Sequence, residues 1–244
     1  MAEPLPDFRV RVSPRARRLR ITITPHGEVV VTVPRRGRRA VEPLIEPFLR
    51  ERAAWIARTL ARVAAEASAP PLVDPIADGS VVAVLGRDHV VHVDVPRPGG
   101  SPPRRSSVRD GAGTLHVRLA PGDATRLQEV VERHLRARAR AILRERADRR
   151  ATVAGVRVGR VIVRDQRSRW GSASRRGTLS FNWRLILAPE SVLDYVVAHE
   201  VAHLADFSHS AAFWARVAAL HPGFREDRRW LRRHGRRLRV AGEA

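Results

Sequence analysis

Cysteine is absent from this 244-residue chain, and methionine and tyrosine occur once each. Without cysteine there is no disulfide framework, no thiolate nucleophile and no sulfur ligand for a metal. No apolar run approaches the roughly 18 residues that a membrane span requires, so no span is expected. The opening M-A-E-P-L-P-D-F has neither a basic n-region nor an apolar h-region, which makes a cytoplasmic protein the expectation. A Gly-rich phosphate loop is missing too, which counts against nucleotide chemistry.

Lysine is also absent, so all 46 basic residues are arginine, and against 25 acidic residues they leave a net charge of +21. Usage this one-sided, with abundant Ala, Val and Gly, looks like GC-rich coding. The arginines run through 15–20, 35–39, 133–150 and 225–239 and do not form one patch. Aromatics are not interleaved with them, as platforms for stacked bases would require. The charge reads first as solvated surface, with nucleotide or nucleic acid as an accessory partner of that Arg-rich surface.

What is present is a soluble, globular composition with 43% hydrophobic residues, enough for one large domain or two small ones. Residues 1–14 are polar and Pro-spaced and read as an arm. Leu19, Ile21 and Ile23, then Val29, Val31 and Val33, alternate with polar residues around Pro25–Glu28, predicting a hairpin. Apolar residues at helical spacing predict a helix near 38–67, with Pro43 and Pro47 confining its start. Strands are expected at 81–85, 89–95 and 115–119, with a Pro/Gly/Ser-rich loop at 96–107. A long helix follows from about 121 to 150, then strands around 156–163 and 179–187.

The chemistry is declared by Y-V-V-A-H-E-V-A-H-L-A-D-F-S-H at 195–209. His199 and His203 are four apart, so on a helix both imidazoles leave the same side, one turn separated. Two neutral nitrogens so placed reach one tetrahedral Zn²⁺ at about 2.0–2.1 Å. Glu200 adjoins the first histidine, where a carboxylate can act on a water beside the metal without ligating it. Pro189 and Glu190 suit a helix start. Leu193, Val196, Val197, Val201 and Leu204 share one side of the wheel, and Glu200 falls inside that apolar arc. An ionisable group there needs a partner, and a metal site supplies one. His209 is the candidate third ligand, and Glu226 is the runner-up. Candidate partners for the far imidazole nitrogens are Asp194, Asp206 and Asp227. Tyr195 or an arginine from 164–169 is the candidate oxyanion donor.

From about Val163 to Gly235 the chain resembles the YgjP-like metallopeptidase family, itself related to SprT/Spartan-like and WLM zinc peptidase domains. The resemblance rests on D-Q-R-S-R-W-G-S at 165–172, L-S-F-N-W-R-L-I-L-A-P at 179–189, H-E-V-A-H, H-S-A-A-F-W at 209–214 and R-R-W-L-R-R-H-G at 228–235. It implies His199, His203 and His209 as ligands of Zn²⁺ and Glu200 as general base. Two departures stand out: Ala173 replaces a cysteine common after the W-G-S turn, and Asp206 stands where metzincins place Gly. The fold expected is α+β: a zincin-like metallopeptidase domain with an active-site helix over 121–240, preceded by a small β-rich module with one long helix over 1–120. The function expected is zinc-dependent hydrolysis of a protein or peptide substrate. The alternatives are a metal-dependent nucleotide pyrophosphatase and a DNA-associated SprT-like protease.

Overall fold

The computed structural model describes residues 5–24, 26–35, 38–68, 70–71, 73–94, 101–166 and 169–239. They form an α+β fold with three small sheets, in two compact units, Met1–Ala69 and Pro70–Ala244.

In the first unit, strands β1 (Phe8–Ser13), β2 (Arg20–Ile23) and β3 (Val29–Pro34) make a sheet of order β1-β3-β2. The β2–β3 pair is the expected antiparallel hairpin; Pro25 of its turn lies outside the described residues. The arm expected at 1–14 contains β1, which runs parallel to β3. Phe8, Val10 and Val12 alternate as a strand does, a pattern the flanking prolines obscure. The helix expected near 38–67 is interrupted. It divides into a single turn, α1 (Arg38–Val41), a 3-10 turn at Glu42–Leu44, α2 (Ile45–Glu51) and α3 (Ala53–Ser68). Pro43 opens the 3-10 turn, where its missing N–H costs nothing. The core of this unit is Val29, Val31, Val33, Ile45, Leu49 and Ile56.

The second unit contains a four-stranded sheet, order β4-β5-β7-β6, from β4 (Val81–Val84), β5 (Arg87–Val93), β6 (Ser107–Gly111) and β7 (Thr114–Arg118). β6 lies inside the loop expected at 96–107 and beyond it; it has no apolar alternation and exists by pairing with β7. Residues 95–100 of that loop lie outside the described residues. The long helix α4 (Leu127–Ala154) ends on Gly155, left-handed at φ 65°. A second sheet, order β8-β10-β9, follows from β8 (Arg160–Arg164), β9 (Gly171–Ala173) and β10 (Thr178–Asn182). The strand expected over 179–187 stops at Asn182, whose side chain accepts from Arg184 N at 3.0 Å. Trp183–Leu187 then coils as a 3-10 helix. Helices α5 (Glu190–His203), α6 (Ala211–Leu220) and α7 (Phe224–His234) complete the unit.

One core runs through all of it, from Val82, Val91 and Leu115 of the sheet to Leu135, Leu143, Phe181, Val197 and Phe213. The division between units therefore falls at Ala69/Pro70 and not at the expected residue 120, because the sheet over 81–118 buries its apolar face in the same core as α4 and α5. α5 packs against α4, and Arg146 clamps the pair by donating to Asp194 at 2.9 Å and to Glu190. The helix carrying the histidines is thus held on a rigid base. No helix among the described residues is long and apolar enough to cross a membrane.

Candidate metal centre

α5 begins at Pro189, whose carbonyl accepts from Val192 N and Leu193 N, and ends at His203. Its interior is almost wholly buried, with α4, α6, α7 and β9 against it. This brings Glu200 to 5% exposure and His203 to 9%.

The turn after α5 is built by one side chain. Asp206 Oδ1 accepts from the Ser208 N–H and hydroxyl at 2.8 and 2.7 Å, and its Oδ2 accepts from the Ser210 hydroxyl at 2.8 Å. Those donors, the Ser208 hydroxyl first, hold the Asp206 carboxyl down at about 2. Ser210 then caps α6 by accepting from Phe213 N at 3.1 Å. The chain is thereby folded back so that His209 returns over His199. D-x-S-x-S is a recognisable local signal for such a turn.

The three imidazoles converge. His199 Nε2 lies 3.2 Å from His203 Nε2 and 3.5 Å from His209 Nε2, and one donor atom from each ring falls within 4.8 Å of the others. A tetrahedral ion with Zn–N bonds of 2.0–2.1 Å separates its ligands by about 3.3 Å, so the donor set fits one. The tautomer fits as well. His203 Nδ1 lies 3.1 Å from the Asp206 carbonyl, which only accepts, so the proton is on Nδ1 and Nε2 keeps its lone pair. His199 Nδ1 is buried without a hydrogen-bond partner among the described residues. Burial, then the neighbouring His203 and His209, push the His199 pKa down to about 3, and burial lowers that of His203. Both shifts favour the neutral ring that ligation demands.

Of the expected partners for the far nitrogens, only residue 206 serves, and through its carbonyl rather than its carboxylate. Asp194 is engaged by Arg146 and Arg150, and Asp227 by His221 at 2.6 Å and Ser191 at 2.8 Å. Glu226 stands 83% exposed on α7, beside Arg229 and outside the histidine cluster.

Phe213, fully buried, stacks on His203 with centroids 4.4 Å apart and meets His199 and His209 edge-on. Trp214 stands 5.6 Å from His199. The H-S-A-A-F-W segment thus supplies one imidazole, one helix cap and the aromatic wall behind the cluster. Tyr195 is buried one turn before His199, their rings 6.0 Å apart, and burial raises its phenol pKa. Arg167, one of the arginines expected as an oxyanion donor, lies outside the described residues.

Two glycines were not legible as site residues. A Cβ on Gly171 would lie 2.5 Å from Glu200 Oε1 and 2.6 Å from its Cγ. Only glycine lets β9 lie this close over that side chain. A Cβ on Gly235 would meet the Trp170 ring at 3.0 Å, so the W-G-S and R-R-H-G segments pack on each other. Buried beneath β9, Glu200 has its pKa pushed up to about 8, with Arg169 pulling the other way.

Three imidazoles facing one point, with a buried carboxyl on the same helix, make a group that could hold a metal ion. Among curated proteins none matches the chain. A solved structure, that of the metallopeptidase zymogen of Pyrococcus abyssi abylysin, is 22% identical over 37% of this chain and 93% of that one, with a TM-score of 0.34. A likeness at that level carries no argument. The model of the YgjP-like metallopeptidase domain matches residues 17–234, the greater part of the sequence and all of the histidine cluster, and so the chain belongs to the YgjP-like metallopeptidase family.

Proposed function

We propose that the protein is a zinc-dependent peptidase of zincin-like construction, with His199, His203 and His209 holding the ion and Glu200 as general base. The observation that carries this reading is the convergence of the three imidazoles at tetrahedral ligand spacing beside a buried glutamic acid. Zinc held there would supply Lewis acidity, polarising a scissile carbonyl and lowering the pKa of water toward neutrality. Glu200 takes the proton of the attacking water and passes it to the leaving amine, so one carboxyl serves as base and then as acid. Its burial raises its proton affinity toward that of neutral solution, which suits a group that must both accept and release. β9 confines the Glu200 side chain from above, and Asp206 holds His203 and the His209 turn in register.

The test is metal content with turnover. The purified protein should hold about one zinc per chain, cleave denatured casein, lose cleavage with a chelator and regain it on zinc addition. Release of pyrophosphate from nucleoside triphosphates with casein left intact would instead establish the nucleotide hydrolase. Gly171→Ala should keep the zinc, cost about 1–3 kcal/mol of stability through overpacking, and lower kcat by about 100-fold by displacing Glu200 by about an ångström. Elemental analysis, denaturant melts and steady-state rates on one preparation separate these effects.

A further inference from the structure

The net charge of +21 is spread along the chain and says little by itself. Its placement around the metal centre says more. Arg228 of α7 lays its guanidinium 4.5 Å from the centroid of Trp214, whose ring stands 5.6 Å from His199 and 5.9 Å from His209. Arg232 lies one turn further along the same helix. Arg169 directly precedes Trp170 and Gly171, the glycine that covers Glu200.

Arg228 and Arg232 lie on α7, and Arg169 lies on the segment leading into β9. Among the described residues none of the three has a carboxylate partner. The acids of this neighbourhood are already committed, Asp194 to Arg146, Asp227 to His221 and Asp206 to its own serines. Arg228, Arg232 and Arg169 are therefore cations near the centre that no carboxylate pairs among the described residues. A guanidinium held 4.5 Å from an indole centroid gives up little further freedom on binding, and its forked N–H donors match a carboxylate.

Building on the peptidase reading, we propose that the metal centre selects peptides bearing a carboxylate close to the scissile bond, gripped by Arg228 and drawn in by Arg232 and Arg169. The carboxylate belongs either to an acidic side chain or to the end of the substrate chain. Arginines so placed also disfavour basic substrates, so the discrimination works by repulsion as well as attraction.

The test uses the zinc-loaded full chain. Sites cut in denatured casein are mapped by mass spectrometry, and the best is made as synthetic peptides carrying Glu, Gln or Lys beside the scissile bond, each with a free or an amidated C-terminus. The carboxylate peptide should exceed its neutral counterpart in kcat/KM by about five- to tenfold, mostly through KM, the size expected of one partly solvated ion pair. The difference follows Glu if a side chain is read and the free terminus if the chain end is read. Arg228→Glu should reverse the order and favour Lys. Arg232→Glu, at an exposed position, should move it the same way by less. Arg229→Gln, on the same helix but 73% exposed, should leave it unchanged. Equal rates across the panel, or the original ranking in a folded, zinc-loaded Arg228→Glu protein, overturn the selection while leaving the peptidase intact. Failure to cut any peptide overturns the peptidase reading, and the selection falls with it.

Discussion

Glu200→Gln should leave zinc bound and lower kcat by about 10²–10⁴-fold, the contribution typical of a positioned acid–base group. Glutamine is nearly isosteric, so it fits beneath Gly171 and leaves the histidine cluster undisturbed. It retains hydrogen bonding but can neither take the water's proton nor return one to the amine. KM should change little, since the loss falls on the transition state. Metal analysis and casein cleavage on the same sample decide it; a zinc-loaded Glu200→Gln protein with wild-type turnover would falsify the base assignment.

The same carboxyl sets a pH dependence in the metal-free protein. Its ordinary value of 4.5 is raised to about 8 in the fold, chiefly by burial. Below 4.5 both folded and unfolded chains hold this proton, and the group contributes no difference. Between 4.5 and about 8 the unfolded chain has released it while the folded chain keeps it, so stability falls as pH rises. Urea melts of metal-free protein at pH 5 and pH 8.5 should show that fall, and Glu200→Gln should flatten it. A wild-type profile unchanged by the substitution would contradict the burial argument.

The second large effect is expected at His203. His203→Ala removes an imidazole held from three sides: by Phe213 stacked on it, by the Asp206 carbonyl on Nδ1, and by its place on α5. Two histidines and no third donor should bind zinc more than about 100-fold more weakly, beyond what losing a mere outer partner costs. Activity should vanish at ordinary zinc concentrations and return in part at millimolar zinc. The fold should persist, because the core beneath α5 is aliphatic and aromatic and does not include the ring. Titration with a competing zinc indicator alongside circular dichroism reads both.

Much of this was legible along the chain. The 3.6-residue period places His199 and His203 on one side of a helix whatever else surrounds it, since i and i+4 are neighbours in any α-helix. The hairpin of β2 and β3 and the helix α4 follow from alternation and from apolar spacing in the same local way. Elements whose pairing is remote were missed. β1 and β6 exist because a neighbouring strand offers hydrogen bonds, and the boundary near residue 120 dissolved because the β4–β7 sheet shares its core with α4 and α5. Asp206 was expected to help by its carboxylate; the turn it builds uses that carboxylate internally and leaves its carbonyl for His203.

The sequence by itself put His199, Glu200 and His203 together on one helix, because the spacing that joins them is a property of any α-helix. Only the tertiary structure decided how those groups are charged and confined. The proton on His203 Nδ1, the burial of Glu200, the glycine above it and the arginines around it come from residues far apart in the chain. Burial and field strength depend on what packs nearby in space, and no local pattern records that.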